Sequence, residues 1–398
     1  MPNIKKLETA LPVAPLKLIA LSSAEALGRS VNNYLVSFRK DIHHSLKKDP
    51  AFRGYTESNY LCNFECPRFG SGEGKGVFHE SIRGKDLYIL VDICNHSITY
   101  QLNGYTNHMS PDDHYQDLKR VIAACNGKAH RINVIMPFLY EGRQHKRNGQ
   151  ESLDCAYALE ELFKMGVSNF ITFDAHDPRV QNSIPLAGFD NFTAHYQFLR
   201  ALLENEEDLL IDKDHTTVIS PDEGALDRAV YFAGVLGVDT GMFYKRRDYT
   251  TIVNGKNPIV AHEFLGDNID GKDVFIIDDI ISSGESILDT ARQLKKMNAK
   301  RVFLCTTFGL FTNGLKKFDE AYEQCVFDRV ITTNLCYLPP ELKEKPYFLE
   351  ADMSKFLASI IDFSNHDSSL GNVLTPTEKI NAILDKYNLR QEVQITED

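Results

Sequence analysis

Residues 274–286, VFIIDDIISSGES, set two adjacent carboxylates, Asp278 and Asp279, directly after an apolar run. Neighbouring carboxylates repel, and each loses hydration beside a core, so such a pair is usually held in place by something it binds. A small, hydroxyl-rich loop follows, with Ser282, Ser283, Gly284, Glu285 and Ser286. Gly284 permits a tight turn, the serines offer hydroxyls, and a helix starting near Ser286 offers N–H groups. This is the makeup of a phosphate cradle, beside which the two acids could accept hydrogen bonds from sugar hydroxyls. Taken alone, the loop favours the binding role only modestly over a helix-capping turn whose acids face water.

Other charged groups follow apolar runs in the same way. Asp222 comes after TTVIS, within Pro-Asp-Glu-Gly, and His176 comes after ITF, within Asp-Ala-His-Asp. A histidine among acids suits a metal ion or metal-bound water. Arg143, Lys146 and Arg147 follow VIMPFLY, and Lys245, Arg246 and Arg247 follow GMFY, before a polar stretch to about Asn268. Singly, each charge run could be a solvated face. Together, the cations could balance polyphosphate charge, and the acids could bind Mg2+ or sugar hydroxyls.

These groups need a scaffold that brings strand ends together. DLYILVDI, RINVIMPFL, NFITFDA, TTVISPD, TGMFYKR, DVFIIDDI and RVFLCTTF read as strands. Between them, segments such as HYQDLKRVIAACN, SLDCAYALEELFKMG and SILDTARQLKKMN carry apolar residues at helical spacing. The alternation predicts an α/β fold of two similar lobes, each a mainly parallel sheet flanked by helices. Ligands of such sheets bind beyond the carboxyl ends of the strands. The element order repeats on either side of about residue 193, although the halves share little sequence. We expect an N-terminal lobe over 1–192, a C-terminal lobe over 193–345, and over 346–398 a strand and helix returning toward the first lobe, with a frayed tail. SAEALGRSVNNYLVSF and TPTEKINAILDKYN read as further helices, and HHSLKKDPAFRGYTESNY as loop.

With 398 residues, 43% of them hydrophobic, the chain can bury a sizeable core. A net charge of −11 argues against broad nucleic-acid binding. No apolar run is long enough for a bilayer span and no export signal stands out, so we expect a cytoplasmic protein. The 8 cysteines are scattered and read as reduced, buried thiols; Cys62 and Cys66 lack the second pair that a zinc site would need.

DVFIIDDIISSGES resembles the pentose-phosphate motif shared by phosphoribosyltransferases and ribose-phosphate pyrophosphokinases. PRFGSGEGKGVFHESIRGKDLYIL, VIMPFLYEGRQHKR, FDAHDPRVQNSI, VISPDEGALDRAVYFAGVLG, YKRRDY and TTFGLFTNG are similar, in order, to further pyrophosphokinase segments. The matches cover about residues 67 to 340. The resemblance implies transfer of the diphosphoryl group of ATP to the 1-hydroxyl of ribose 5-phosphate, with Mg2+ as cofactor. It implies that Arg143 and Gln144 hold ATP, and that Phe69, Ser71 and Glu73 touch adenine from a neighbouring subunit of a homodimer or homohexamer. It assigns His176 and Asp222 to Mg2+, and Asp278, Asp279, Ser282, Ser283, Gly284, Glu285 and Ser286 to ribose 5-phosphate. Lys245 and Arg247 would stabilise the transferring group. Neither nucleic acid nor membrane is an expected partner. This sequence departs from the family pattern at Ser282, where a third acid is usual, at Glu285, where glycine is common, and at His145, where aspartate is frequent. Those departures motivate one alternative, an inactive regulatory paralogue that binds the same ligands. The phosphate loop alone would also allow a phosphoribosyltransferase.

Overall fold

The computed structural model describes residues 10–40, 52–147, 149–247, 259–371 and 377–397. The chain divides into two compact units. One comprises Met1–Thr193, Asn334–Tyr337 and Asp352–Thr375; the other comprises Ala194–Thr333, Leu338–Ala351 and Pro376–Asp398.

The first unit holds β1 (Leu16–Ala20), β2 (Phe64–Glu65), β3 (Val77–Phe78), β4 (Asp86–Leu90), β5 (Thr99–Leu102), β6 (Tyr105–His108), β7 (Arg131–Ile135), β8 (Asn169–Phe173) and β9 (Gly188–Phe192). Five of these form a parallel sheet in the order β1-β4-β7-β8-β9. Every residue of β4 is buried, as expected of a central strand covered on both faces. The pairs β2–β3 and β5–β6 are antiparallel hairpins. Asn103 and Gly104, at φ 49° and 84°, turn the second hairpin, the positive-φ pair that such a tight loop requires. The helix Pro111–Cys125 follows, and Ser110 and Asp113 form a reciprocal capping box at its start.

The second unit holds β10 (Thr216–Ser220), β11 (Asp239–Arg247), β12 (Ile259–Leu265), β13 (Asp273–Ile281), β14 (Arg301–Gly309), β15 (Arg329–Thr333) and β16 (Phe348–Ala351). They form one sheet in the order β12-β11-β10-β13-β14-β15-β16. All its pairs are parallel except β11–β12, at one edge. From β10 the chain runs to β11 on one side and later to β13 on the other. The sheet order therefore reverses between β10 and β13, the switch point beyond whose carboxyl ends ligands of such sheets bind.

The two sheets share a construction detail. Asp86 opens β4 and is held by a fork from Arg131, which opens β7: Nε donates to Oδ1 at 2.8 Å and Nη2 to Oδ2 at 2.8 Å. Asp273 opens β13 and is held by Arg301, which opens β14, at 2.8 and 2.7 Å. Glycines two residues before each aspartate, Gly84 and Gly271, have φ of 68° and 74°. The same three residues, Gly-Lys-Asp, stand at both 84–86 and 271–273.

Several elements differ from the sequence expectation. The polar stretch after Arg247 includes the edge strand β12; residues 248–258 within it lie outside the described residues. The prolines and Lys17 near the start hide β1, whose short LKLIA segment is held by pairing with β4. Residues 94–110 contain the β5–β6 hairpin. The helix Thr377–Glu397 takes in residues 391–397 of QEVQITED, the segment expected to fray. Part of the HHSLKKDPAFRGYTESNY loop, residues 43–51, also lies outside the described residues.

The helix Ser354–Asn365, which the sequence reading did not single out, packs against Glu25–Lys40. At this contact Arg39 is only 1% exposed. It donates from Nε to Asp362 at 2.7 Å and from Nη2 to Asn365 at 2.8 Å, and it lies 4.4 Å from the centroid of the Tyr55 ring. Asn365 in turn donates to Asp86 at 2.9 Å. Removing one member of a buried ion pair leaves the other charge without compensation. Arg39→Met should therefore destabilise the protein by about 3–5 kcal/mol, read as a lowered urea midpoint. A change below about 1 kcal/mol would show that the pair is not the tie between these helices.

Candidate functional site

The strand ends at the switch point of the second sheet gather most of the acids singled out in the sequence. Asp278 and Asp279 are still within β13. Strand alternation sends consecutive side chains to opposite faces, so only one of two neighbours can follow the core. Asp279 is 5% exposed, whereas Asp278 is half-buried. The Asp279 N–H donates to Asp278 Oδ1 at 2.9 Å, and Arg228 Nη2 lies 3.6 Å from Asp279 Oδ2. Burial pushes the Asp278 carboxyl well above its ordinary range, and the charges of Asp279 and Asp222 push it further. A pair so placed favours whatever supplies hydroxyl donors or positive charge.

Beyond β10, Asp222 is held in a local turn. Ser220 Oγ donates to the Asp222 carbonyl at 2.6 Å, and Gly224 N–H donates to Asp222 Oδ1 at 3.0 Å.

The loop after β13 is fixed by its backbone. Leu310 N–H donates to the Ile281 carbonyl at 2.8 Å, and Thr312 N–H to the Ser282 carbonyl at 2.9 Å. The TTFGLFTNG segment therefore braces the loop. Gly284 has φ 79°, and a Cβ there would sit 2.4 Å from the Phe318 ring, so position and handedness both demand glycine. The 12-residue helix Glu285–Lys296 starts immediately afterwards. Its N-terminal dipole and the loop serines Ser282, Ser283 and Ser286 suit a phosphate. Glu285 pairs with Lys317. A carboxylate beside an expected phosphate is thus offset by a cation that the sequence reading did not connect to it.

Lys245 and Arg247 close β11, where their backbones pair with His262 and Ile259 of β12. Only their backbone falls within the description.

In the first unit the remaining residues lie in three loops. Phe69, Ser71 and Glu73 share one turn: Phe69 N–H donates to the Glu73 carbonyl at 2.7 Å, and Ser71 Oγ to Glu73 Oε2 at 2.9 Å. The turn leaves the Phe69 ring 54% exposed. Arg68 anchors it, donating to Asp117 at 3.1 Å with its guanidinium 4.9 Å from the Tyr100 ring centroid. Arg143 is exposed in the loop after β7, and Gln144 Nε2 donates to the Ser152 carbonyl at 2.9 Å.

His176 follows β8, after Asp174, a non-glycine residue at φ 41°. Its ring lies 5.5 Å from that of His145, whose Nε2 is 3.4 Å from Asp177 Oδ2. Arg179 donates from Nε to Asp177 Oδ1 at 2.9 Å and, by hydrogen bonding first, holds its carboxyl down at about 2. His145 thus joins the loop carrying His176, where the sequence reading saw only a departure from a pattern. Asp177 could have been read as a cap, because Pro178 follows it and opens a short 3-10 helix. Nothing in sequence spacing links Arg228 to Asp279 or Lys317 to Glu285.

These geometries can be set beside known proteins. Residues 16–166 match the model of the N-terminal domain of ribose phosphate pyrophosphokinase, and residues 189–344 match the phosphoribosyl transferase domain. The chain is 30% identical over 267 residues to the ribose-phosphate pyrophosphokinase of Corynebacterium glutamicum, covering 67% of this chain and 74% of that one. It is 29% identical over 274 residues to that of Mycoplasma genitalium, covering 68% and 74%. The fold is similar to the crystal structure of phosphoribosylpyrophosphate synthetase from Mycobacterium smegmatis, with a TM-score of 0.67 at 22% identity, over 89% of this chain and 99% of that one. The chain belongs to the ribose-phosphate pyrophosphokinase family.

Proposed function

We propose that the switch point between β10 and β13 is the ribose 5-phosphate site of this enzyme, and that the loops of the first unit bind ATP. The chain is an ATP-dependent ribose-phosphate diphosphokinase: it transfers the diphosphoryl group of ATP to the 1-hydroxyl of ribose 5-phosphate and releases AMP. The observation that carries the assignment is the meeting of Asp278, Asp279 and the braced Ser282–Ser286 loop at a topological switch point. The acids accept hydrogen bonds from the ribose diol, while the loop and the helix N-terminus hold the 5-phosphate. Arg228 and Lys317 keep Asp279 and Glu285 from repelling that phosphate.

The nucleophile is already a hydroxyl of the substrate, so the residues mainly align the reactants and neutralise charge. Arg143 and Gln144 hold the nucleotide, and Phe69, Ser71 and Glu73 serve adenine. The exposed Phe69 ring fits a contact made with a neighbouring copy in a homodimer or homohexamer. Lys245 and Arg247 stabilise the transferring diphosphoryl group. Asp222 in the second unit and, separately, His176 in the first would each give Mg2+ a single protein ligand, leaving most positions to water and phosphate oxygens, the usual mode for this ion. When bound, Mg2+ neutralises phosphate charge. No helix among the described residues is long and apolar enough to cross a membrane, in keeping with a cytoplasmic enzyme.

The purified chain, given Mg-ATP and ribose 5-phosphate, should form AMP and phosphoribosyl diphosphate in equal amounts, with neither formed if the sugar is omitted. Nucleotide binding without AMP formation, across phosphate and metal conditions, would favour the regulatory paralogue instead. Gly284→Ala should raise the Michaelis constant for ribose 5-phosphate by about 5–150-fold, the equivalent of about 1–3 kcal/mol of local strain, because the cradle must move away from Phe318. An unchanged constant would detach this loop from the sugar phosphate. Lys245→Ala should lower kcat by about 10²–10³-fold with unchanged circular dichroism. A loss smaller than about tenfold would remove the lysine from the transition state.

A further inference from the structure

A second strand-end acid has no part in this scheme. Counting from the strand-opening residues Asp86 and Asp273, Asp92 and Asp279 stand the same number of residues along the chain, Asp92 just past the end of β4 and Asp279 near the end of β13. Asp92 is therefore the first unit's counterpart of the buried switch-point acid. It is 3% exposed, and its surroundings differ from those of Asp279. It stands beside two thiols: Cys94, half-buried in the same loop, and Cys336, 5% exposed in the Asn334–Tyr337 segment of the same unit. One carboxylate oxygen and both sulfurs lie within 4.8 Å of one another.

The group is fixed from several sides. Cys94 N–H donates to Asp92 Oδ1 at 2.9 Å and Tyr337 N–H to Asp92 Oδ2 at 2.6 Å. Ser23 receives Asn95 Nδ2 at its carbonyl at 2.7 Å, and its hydroxyl accepts the Asp92 N–H at 3.2 Å. His114 Nε2 lies 2.9 Å from the Asn95 carbonyl. The Asp92 carboxylate also has a hydrogen bond with the Cys336 thiol, so loss of the thiol proton would leave a sulfur and a carboxylate lone pair facing one another.

We propose that Asp92, Cys94 and Cys336 form a binding site for a thiophilic divalent cation, Zn2+ by choice. Two thiolates and one carboxylate are zinc ligands, and three such atoms within 4.8 Å of one another need only a small closing movement to share one tetrahedral ion. Mg2+ takes oxygen ligands, so this site is chemically separate from that of the reaction. Binding releases the two thiol protons to solvent, leaving three negative ligands around a doubly charged ion. The fourth position falls to water, which the partial exposure of Cys94 admits. The ion would tie the loop after β4 to the Asn334–Tyr337 segment, which joins the same unit from a distant part of the sequence. The sequence hides this site because its two cysteines are far apart and neither has a nearby partner at zinc spacing.

The test uses Co2+ as a spectroscopic substitute on the full, reduced chain. A thiolate-to-cobalt charge-transfer band should appear with an intensity matching two thiolates. Added Zn2+ should abolish it, and excess Mg2+ should leave it in place. The double variant Cys62→Ser/Cys66→Ser should keep the band. Cys94→Ser should weaken Zn2+ binding by more than about 100-fold, since even outer-shell partners account for about 10–100-fold. Absence of the band in the unaltered chain would overturn the proposal without any variant, and so would its persistence in Cys94→Ser/Cys336→Ser.

Discussion

The second unit is organised around a repulsion. Asp278 and Asp279 sit at the end of a buried strand, and burial together with the neighbouring charges holds the Asp278 carboxyl well above its usual range. Such an arrangement persists only if the fold around it is firm and a partner makes use of it. The firmness is visible: the strand is flanked on both sides, Arg228 faces Asp279, and the loop that follows is pinned by backbone bonds to the segment after β14. In the proposed reading, a sugar diol and phosphate would supply what the acids and the helix N-terminus lack, and recognition and stability would draw on the same residues.

The opposite ends of the strands are stapled in the other sense. Asp86 with Arg131 and Asp273 with Arg301 are complete ion pairs, bidentate and in matching register. Bidentate arginine–carboxylate pairs fix geometry as well as charge. Each sheet therefore keeps satisfied charge at one end of its strands and the candidate ligand-binding groups at the other, where ligands of parallel α/β sheets bind. In the first unit the buried network continues through Asn365 to Arg39 and Asp362, so a late helix becomes part of the support for an early strand.

The central strands and long helices were legible in the sequence because burial on both faces produces uninterrupted apolar runs and helical periodicity marks the covers. The acids of the phosphate loop were legible for a related reason: a carboxylate at the end of such a run stands out. β12 was missed because an edge strand needs no continuous apolar run, and β1 because five residues beside two prolines give too short a pattern. Pairings between distant residues left no local signal. Lys317 answers the charge of Glu285 from another helix, and His145 meets the loop of His176 from another strand end. The repeated Gly-Lys-Asp was present in the letters, yet only the shared handedness of Gly84 and Gly271 shows that it marks equivalent corners.

The claim on which the account turns is that the carboxylate pair is relieved by the sugar. Calorimetric titration with ribose 5-phosphate, repeated in buffers of different ionisation enthalpy as pH is lowered below neutrality, tests it directly. The account predicts proton release on binding, because hydroxyl donors favour the ionised form of the elevated Asp278 carboxyl, and weaker binding as acid protonates the pair. Binding with no proton exchange, and with equal strength after Asp278→Asn, would contradict it.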